Sequence, residues 1–353
     1  MTRLLTTFLL VAAIATQKTF AFSSSSWPSV RHVTRSTTTT IGRLHDVVEA
    51  SHFHQVHHHL TKLHGAGDDD DKFAEAFQIN LRKDRLTTKY KVTAIAYLLY
   101  ALQNVRIQSK LSYACLLASG HLMASGLAYI LSKASNRNHL SVFTSKRYNL
   151  ALFGYGITQL LVITLAGKIP GGSLMILGPL LATISSIQGY TYGVRGWLYD
   201  KAPVGDIVGE LKNTSCQILK SIVKVPKMNV QSIGYLSATL MLGGMKLMKF
   251  KEICEILIKA KGSSDVAASL LVPLARLGRL AMFSAVVYML KDGSDRKLLD
   301  TPNMIQLNLL SAISFAALAS YVGVSSTAVT PIGGAAAIFS IFCGVNGLIS
   351  MLK

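Results

Sequence analysis

Three basic residues stand where an apolar chain would be expected to carry none: His121, Arg276 and Arg279 lie near the middles of two long apolar runs. A guanidinium at the centre of a bilayer costs about 2.5–3.5 kcal/mol on insertion scales, so such groups are turned into a helix bundle or a wet cavity. Arg276 and Arg279 are three residues apart and share a helix face. The chemistry they predict is the attraction of an anion, a phosphate or a carboxylate, by fixed positive charge. Two glycine pairs, Gly171-Gly172 and Gly333-Gly334, follow Pro170 and Pro331 and each opens an apolar run. A helix starting there offers free backbone N–H donors to the same anion. Arg276, Arg279, His121, Gly171, Gly172, Gly333 and Gly334 form the candidate substrate-binding set. The opposing reading shifts the arginine-bearing run so that both side chains meet lipid headgroups, where they hold anionic lipid or a neighbouring subunit. In that reading His121 is a hydrogen-bonded interior histidine.

What is missing narrows the chemistry further. No Asp or Glu falls inside any apolar run, which argues against a proton or sodium cycle on a buried carboxylate and against an acidic ring for divalent cations. Paired aspartates of the kind prenyltransferases use are absent, and no catalytic motif appears, so no enzyme activity and no cofactor are predicted. The four cysteines, Cys115, Cys216, Cys254 and Cys343, have neither metal-site nor redox spacing, and no disulfide framework is expected.

The elements that must position these residues are membrane helices. Half of the 353 residues are hydrophobic, and the mean hydropathy of +0.39 is too high for a soluble domain of this size. From Val92 onward there are about eight apolar runs, near 92–105, 111–132, 148–167, 172–193, 230–248, 266–290, 304–323 and 332–352. Most are long enough to cross about 30 Å of hydrocarbon as helices, and none alternates as a barrel strand would. The runs pair off in order. Ala94-Ile95-Ala96-Tyr97-Leu98 reads like Ser232-Ile233-Gly234-Tyr235-Leu236, Tyr129-Ile130-Leu131 like Tyr288-Met289-Leu290, and Tyr148-Asn149-Leu150 like Leu307-Asn308-Leu309. Arg137 and Arg296 fall at matching offsets, and the two glycine pairs close the series. The fold expected is therefore all-α and polytopic, with two parallel four-helix repeats over 92–194 and 230–353 related by an axis along the membrane normal. The connector, 195–229, holds an amphipathic piece with Ile207, Val208, Leu211, Ile218, Leu219, Ile222 and Val223 on one side and Lys212, Lys220 and Lys224 on the other. Such a helix lies on the membrane surface.

The formal net charge of +19 belongs partly to the first 45 residues, where Arg3, Lys18, Arg31, Arg35 and Arg43 meet no acid before Asp46. The remaining Lys and Arg gather between apolar runs, which reads as membrane orientation rather than nucleic-acid binding. Residues 1–21 have the build of a signal peptide, with an apolar core from Leu4 to Ala15. Residues 22–45 are rich in Ser, Thr and Arg and free of acid, as a transit peptide is. Joined at Thr19-Phe20-Ala21-Phe22-Ser23, the two resemble the bipartite plastid presequence of diatoms and related algae. The resemblance implies import into a plastid; an ordinary secretory signal followed by a Ser/Thr-rich stalk is the alternative.

Residues 46–91 form a His-rich and acidic lead-in. His54, His57 and His58 share a helix face and could bind a transition metal, and His54-Gln55-Val56-His57-His58 matches one histidine box of membrane desaturases. Leu44, Val47, Val48, Val56, Leu60 and Leu63 recur at helical spacing and favour a structural surface helix, so no metal is assigned. Gly65 to Lys72 is expected to be a solvated linker. The basic loops predict that both mature termini face the stroma or its equivalent.

The expected role is a transporter or channel for a small anionic solute in the inner envelope or thylakoid, with a non-catalytic scaffold or assembly factor as the alternative. The expected partners are the lipid bilayer, a small anionic solute or anionic lipid, and a second copy or a larger membrane complex.

Overall fold

The computed structural model describes residues 69–107, 111–166, 174–197, 205–223, 229–259, 266–325 and 331–352. The chain divides into a unit over Met1–Asp71 and a larger one over Lys72–Lys353, which holds the helical bundle. Among the described residues the regular structure is helical: α1 (Asp69–Ile107), α2 (Leu111–Asn136), α3 (Phe143–Ala166), α4 (Leu174–Arg195), α5 (Gly205–Val223), α6 (Val230–Lys259), α7 (Val266–Asp295), α8 (Pro302–Ser325) and α9 (Pro331–Leu352). Four segments of these residues are long and apolar enough to cross a membrane: Phe143–Ala166, Ser269–Asp295, Pro302–Val322 and Gly333–Leu352. Ile338, Ile341, Val345, Leu348 and Leu352 of α9 are exposed together, a surface suited to lipid rather than water.

Helix α1 runs 39 residues without a glycine or proline to interrupt it, about 58 Å at the usual rise. The boundary expected at residues 91 and 92 falls inside this helix, and Asp69 to Lys72 open it instead of lying in a linker. Its polar half carries Arg82 and Lys89, and its apolar half carries Tyr97 and Tyr100.

Helices α2 and α7 end in the same turn. After α2, Asn138 N donates to Ser135 O at 3.2 Å and His139 N to Ala134 O at 2.8 Å; after α7, Lys297 N donates to Ser294 O at 3.1 Å and Leu298 N to Gly293 O at 2.8 Å. Asn138 and Lys297 hold φ of 58° and 57°. This is the Schellman closure, in which a left-handed residue lets two N–H groups satisfy the last helical carbonyls. Asparagine tolerates that conformation and lysine gains nothing from it, at a cost of about 1–2 kcal/mol at Lys297. The helices that follow have equal lengths in the two halves, 24 residues in α3 and in α8 and 22 in α4 and in α9.

The packing is crossed. Helix α3 lies along α7 and α2 lies along α8, with α2 and α7 touching between them, while α4 covers α3, α9 covers α8 and α6 covers α7. Side-chain hydrogen bonds hold α1 against three neighbours. Thr87 Oγ1 donates to Ser135 Oγ at 3.0 Å, Tyr90 Oη donates to Asn149 Oδ1, and Lys89 Nζ donates to Gln188 Oε1 at 3.0 Å. Helix α6 is held alike: Asn229 Nδ2 donates to Ser294 Oγ at 2.9 Å, Tyr235 Oη to Asn308 Oδ1, and Gln231 Nε2 to Asn346 Oδ1 at 2.9 Å.

These bonds also fix which ends lie together. Arg82 Nη1 reaches Trp197 O at 2.7 Å and Lys146 Nζ pairs with Glu210 at 2.8 Å. The polar part of α1, the turns after α2 and α7, helix α5 and the C-terminal end of α9 are therefore at one end of the bundle, where Lys133, Arg137, Lys146, Arg147, Arg296 and Lys297 collect. The connector does fold as a helix, α5, which leaves Val208 and Leu211 exposed beside Lys212. A mixed apolar and basic surface of this kind suits a membrane interface.

Candidate functional site

The two halves meet at mid-depth around Arg279. This residue lies sixteen positions before the end of α7, about 24 Å from the basic end, and only 8% of it is exposed. Across from it on α2 stands Gly120. A Cβ at Gly120 would meet Arg279 Cγ at 2.9 Å, Arg279 Cδ at 3.1 Å and Tyr155 Oη at 2.8 Å. The missing side chain is what lets the arginine stem and the tyrosine hydroxyl occupy this space.

Tyr155 of α3 links the charge to the histidine. Its hydroxyl is hydrogen-bonded to Arg279 and lies 3.2 Å from His121 Nδ1. An arginine can only donate, so the hydroxyl accepts from Arg279 and keeps its own O–H available for His121 Nδ1.

Two tyrosines of α1 complete the wall. Tyr97 stacks on His121 with ring centroids 5.7 Å apart and planes at 20°, and stands 5.8 Å from Tyr155. Tyr100 meets the imidazole edge-on at 6.0 Å, and its hydroxyl accepts from Gly178 N of α4 at 3.3 Å. Tyr97 is fully buried, and its hydroxyl has no hydrogen-bond partner among the described residues. Gln159, one helical turn beyond Tyr155 on the same face, has a buried side-chain NH2 group that is likewise unpartnered there.

The result is a donor-rich, aromatic-walled centre. Its charge comes from the Arg279 guanidinium, and its other polar groups are imidazole and hydroxyl. No Asp or Glu occurs anywhere from Arg85 to Tyr199, from Val266 to Lys291 or from Thr301 to the last residue. The helices that enclose the site thus carry no carboxylate at its depth, and such a centre can bind an electron-rich ligand by charge and by N–H and O–H donation.

Of the seven residues expected to bind substrate, two come together here, His121 and Arg279. Arg276 sits one turn away and donates from Nη2 to Tyr321 Oη of α8 at 3.3 Å, half-buried and directed toward a different helix. Gly333 and Gly334 do not join them. They lie in the first turn of α9, whose neighbours are α8 and α6, and a Cβ at Gly334 would meet nothing within 4 Å. The reason is the small-residue stripe farther along α9. Ser340 Oγ donates to Ala312 O at 2.8 Å, and a Cβ at Gly347 would stand 3.1 Å from Leu309 Cδ2. Close contact along this stripe holds α9 against α8 and away from Arg279. Gly171 and Gly172 lie outside the described residues, as do the presequence and the histidine-rich stretch. Among the described residues no group of three His, Cys, Asp or Glu side chains is placed to hold a metal.

The residues that sequence reasoning missed are mainly aromatic. Tyr97 and Tyr100 are three apart on one face of α1, and Tyr155 stands between Gly154 and Gly156, a pattern that reads as helix packing. Gly156 does pack tightly, its would-be Cβ 3.0 Å from Pro179 O, but Tyr155 between the glycines points its hydroxyl at the charged centre.

A second polar cluster closes the basic end. Arg147 Nη1 lies 3.3 Å from Asp292 Oδ2, and Arg296 Nε lies 3.1 Å from the same oxygen. The Arg147 guanidinium also sits 3.5 Å above the Phe143 ring. Beside it Lys291 Nζ pairs with Asp295 Oδ2 at 2.7 Å. Lys246 of α6, a further amine in an apolar run, donates to Ser284 Oγ at 3.1 Å. No protein-family model, curated protein or solved structure matches this chain.

Proposed function

We propose that this chain is a multi-pass plastid membrane protein that moves a small anion through the Arg279 centre, and that eight spans arranged as two parallel four-helix repeats form its frame. The observation that carries the reading is the meeting of Arg279 from one half with His121, Tyr155 and Tyr97 from the other at the middle of the bundle. A guanidinium buried in the bundle is costly in hydrocarbon, and a bound anion offsets part of that cost. The enclosing rings keep water away, which strengthens every hydrogen bond to the ligand. No chemical reaction is assigned.

Several features support the repeat. The turns after α2 and α7 have the same hydrogen bonds at one constant residue spacing, and the crossed pairs α3 with α7 and α2 with α8 are what an approximate twofold axis produces. The Tyr90–Asn149 and Tyr235–Asn308 bonds shift the alignment of the first helix of each repeat. Tyr235 matches Tyr90, not Tyr97 as its local sequence suggests. Tyr90 and Tyr97 are two helical turns apart on one face, which is why the apolar pattern does not separate them. For the span count, α2, α4 and α6 are of membrane-crossing length, and the apolar half of α1 exposes Ile95, Leu99 and Leu102 as a lipid-facing helix would.

The bipartite presequence supports the plastid address, and the basic end supports orientation toward the stroma. A fluorescent protein fused behind the first 45 residues should enter the plastid of a diatom; delivery elsewhere counts against this address. A non-catalytic scaffold is the second reading, favoured by the complete enclosure of Tyr97 and Tyr155. Reconstitution in liposomes separates the two. The transport reading expects anion flux that falls at least tenfold in Arg279→Gln and less in Arg276→Ala, whereas absent wild-type flux, or flux indifferent to both changes, supports the scaffold.

A further inference from the structure

Helix α5 keeps its apolar side turned away from the bundle. Resting on the membrane-spanning reading above, and independent of what passes through the bundle, we propose that α5 is an anionic-lipid binding element. It docks on the leaflet at the basic end, with Val208 and Leu211 at the top of the hydrocarbon and Lys212 and Lys220 on negatively charged headgroups.

The helix has three strips. Glu210 and Thr214, one turn apart, face the bundle: Glu210 pairs with Lys146 of α3 at 2.8 Å, and Thr214 is buried beside Tyr190 of α4. Leu211 and Ser215 stand one residue further on, about 100° round the helix, and Val208 precedes Leu211 by a turn. Val208 is 64% and Leu211 42% exposed, and by spacing Ile218 and Ile222 continue their strip. Lys212, Cys216 and Lys220 follow at four-residue steps about another 100° round, and all three are exposed. The apolar strip therefore lies between the bundle and the lysines. A connector packed for water would turn that strip inward, whereas α5 turns inward a glutamate and a threonine.

Tether, depth and charge assign the strip to lipid rather than to another protein. Residues 224–229 join α5 to α6 and reach at most about 22 Å when extended. Asn229 at their end is bonded to Ser294, so α5 is held beside the surface from which α6 enters the bundle. At the end of α4, Tyr192 and Trp197 stack with ring centroids 4.8 Å apart, an aromatic pair of the kind that marks a membrane–water boundary. Arg137 and Lys297 are exposed at the same end, while the Glu210 carboxylate is paired with Lys146. A leaflet of negative headgroups complements this surface. Each lysine held near it strengthens binding about fivefold, and the apolar strip adds its own burial.

The test uses the full chain with its four cysteines changed to serine and a single fluorophore-bearing cysteine placed by Val208→Cys, by restoring Cys216, or by Ile341→Cys. The protein is reconstituted in liposomes of phosphatidylcholine, or of equal parts phosphatidylcholine and phosphatidylglycerol, with nitroxide-labelled lipids as quenchers. Nitroxides just below the headgroups should quench the probe at 208 at least threefold more than the probe at 216, and phosphatidylglycerol should deepen that difference. Lys212→Gln with Lys220→Gln, or high salt, should remove most of the phosphatidylglycerol effect. Equal quenching at 208 and 216, or quenching at 208 that ignores both phosphatidylglycerol and the lysine pair, overturns the proposal. Energy transfer between copies labelled at 208, without quenching by lipid, assigns the strip to a second copy and overturns it as well. The probe at 341, on the exposed face of α9, separates the two failures. If deep nitroxides quench it while the probe at 208 is untouched, the role of α5 fails and the membrane-spanning reading stands; if they do not, both fail.

Discussion

At mid-depth the first half of the membrane region presents Tyr97, Tyr100, His121 and Tyr155. In the proposed repeat, with the matched turns and the two Tyr–Asn bonds as guides, the corresponding positions in the second half are Leu242, Met245, Leu280 and Ser314. The joints are alike and the interiors are not. Donor-bearing aromatic residues line one half, and at corresponding places the other is largely apolar, with Leu242 and Leu280 buried. The second half contributes Arg279, and the residue at its matching position in the first half is Gly120. Two guanidiniums facing each other near the axis would repel strongly in a low-dielectric interior. A glycine opposite an arginine resolves that conflict and leaves room for the arginine stem. Under the proposed repeat, the comparison teaches that closely similar turns can frame a centre whose chemistry is asymmetric.

The largest expected difference between the halves lies at their basic ends. Asp292 is the countercharge for both Arg147 and Arg296, and the Arg147 and Asp292 side chains are 4% and 9% exposed. Asp292→Ala should destabilise the protein by about 3–5 kcal/mol, because a buried arginine is left uncompensated. The matching position after α2 is Lys133, whose ammonium lies 4.4 Å from the Tyr129 ring centroid; Lys133→Ala should cost about 0.5–1 kcal/mol. Denaturant or thermal unfolding in detergent measures both, and equal losses would break the contrast between the two joints.

Next in size is the glycine at the centre. Gly120→Ala should cost about 1–3 kcal/mol by overpacking and lower anion flux in liposomes, since the added carbon displaces Arg279 near its backbone. Gly334→Ala in α9 meets no neighbour and should be neutral or stabilising by up to about 1 kcal/mol. Anion flux that survives Gly120→Ala unchanged would show that the close approach of α2 and α7 is not needed for transport.

Much of this frame is legible in the sequence because apolar length and helix breakers act locally. The apolar runs mark the four helices among the described residues that are long and apolar enough to cross a membrane, the glycine-free and proline-free stretch from Asp69 explains why α1 is continuous, and the acid-free segments single out His121 and Arg279. What is not legible depends on contacts between halves. Tyr155, between two glycines, reads as part of a helix-packing face until α7 places Arg279 against it. Gly333 and Gly334 read as a ligand-facing helix start, and only the Ser340 and Gly347 contacts reveal that α9 is committed to α8. The buried Arg147–Asp292 pair hides at the edges of apolar runs, where charges are usually solvated. In each case a residue's partner lies far away in the chain, and spacing within one helix carries no information about it.

The smallest effects decide the register on which the comparison rests. Tyr90→Phe and Tyr235→Phe each remove a buried hydroxyl that donates to an asparagine, Asn149 in one half and Asn308 in the other. Each should cost about 1 kcal/mol. Tyr97→Phe removes a buried hydroxyl with no partner among the described residues, so in the absence of a bound anion its stability should be unchanged or slightly raised. If Tyr97 were instead the counterpart of Tyr235, as the local sequence around it suggests, the loss at Tyr97 would equal that at Tyr235 and the loss at Tyr90 would vanish. The three substitutions, compared by unfolding in chloride-free detergent, therefore separate two alignments that differ by two helical turns.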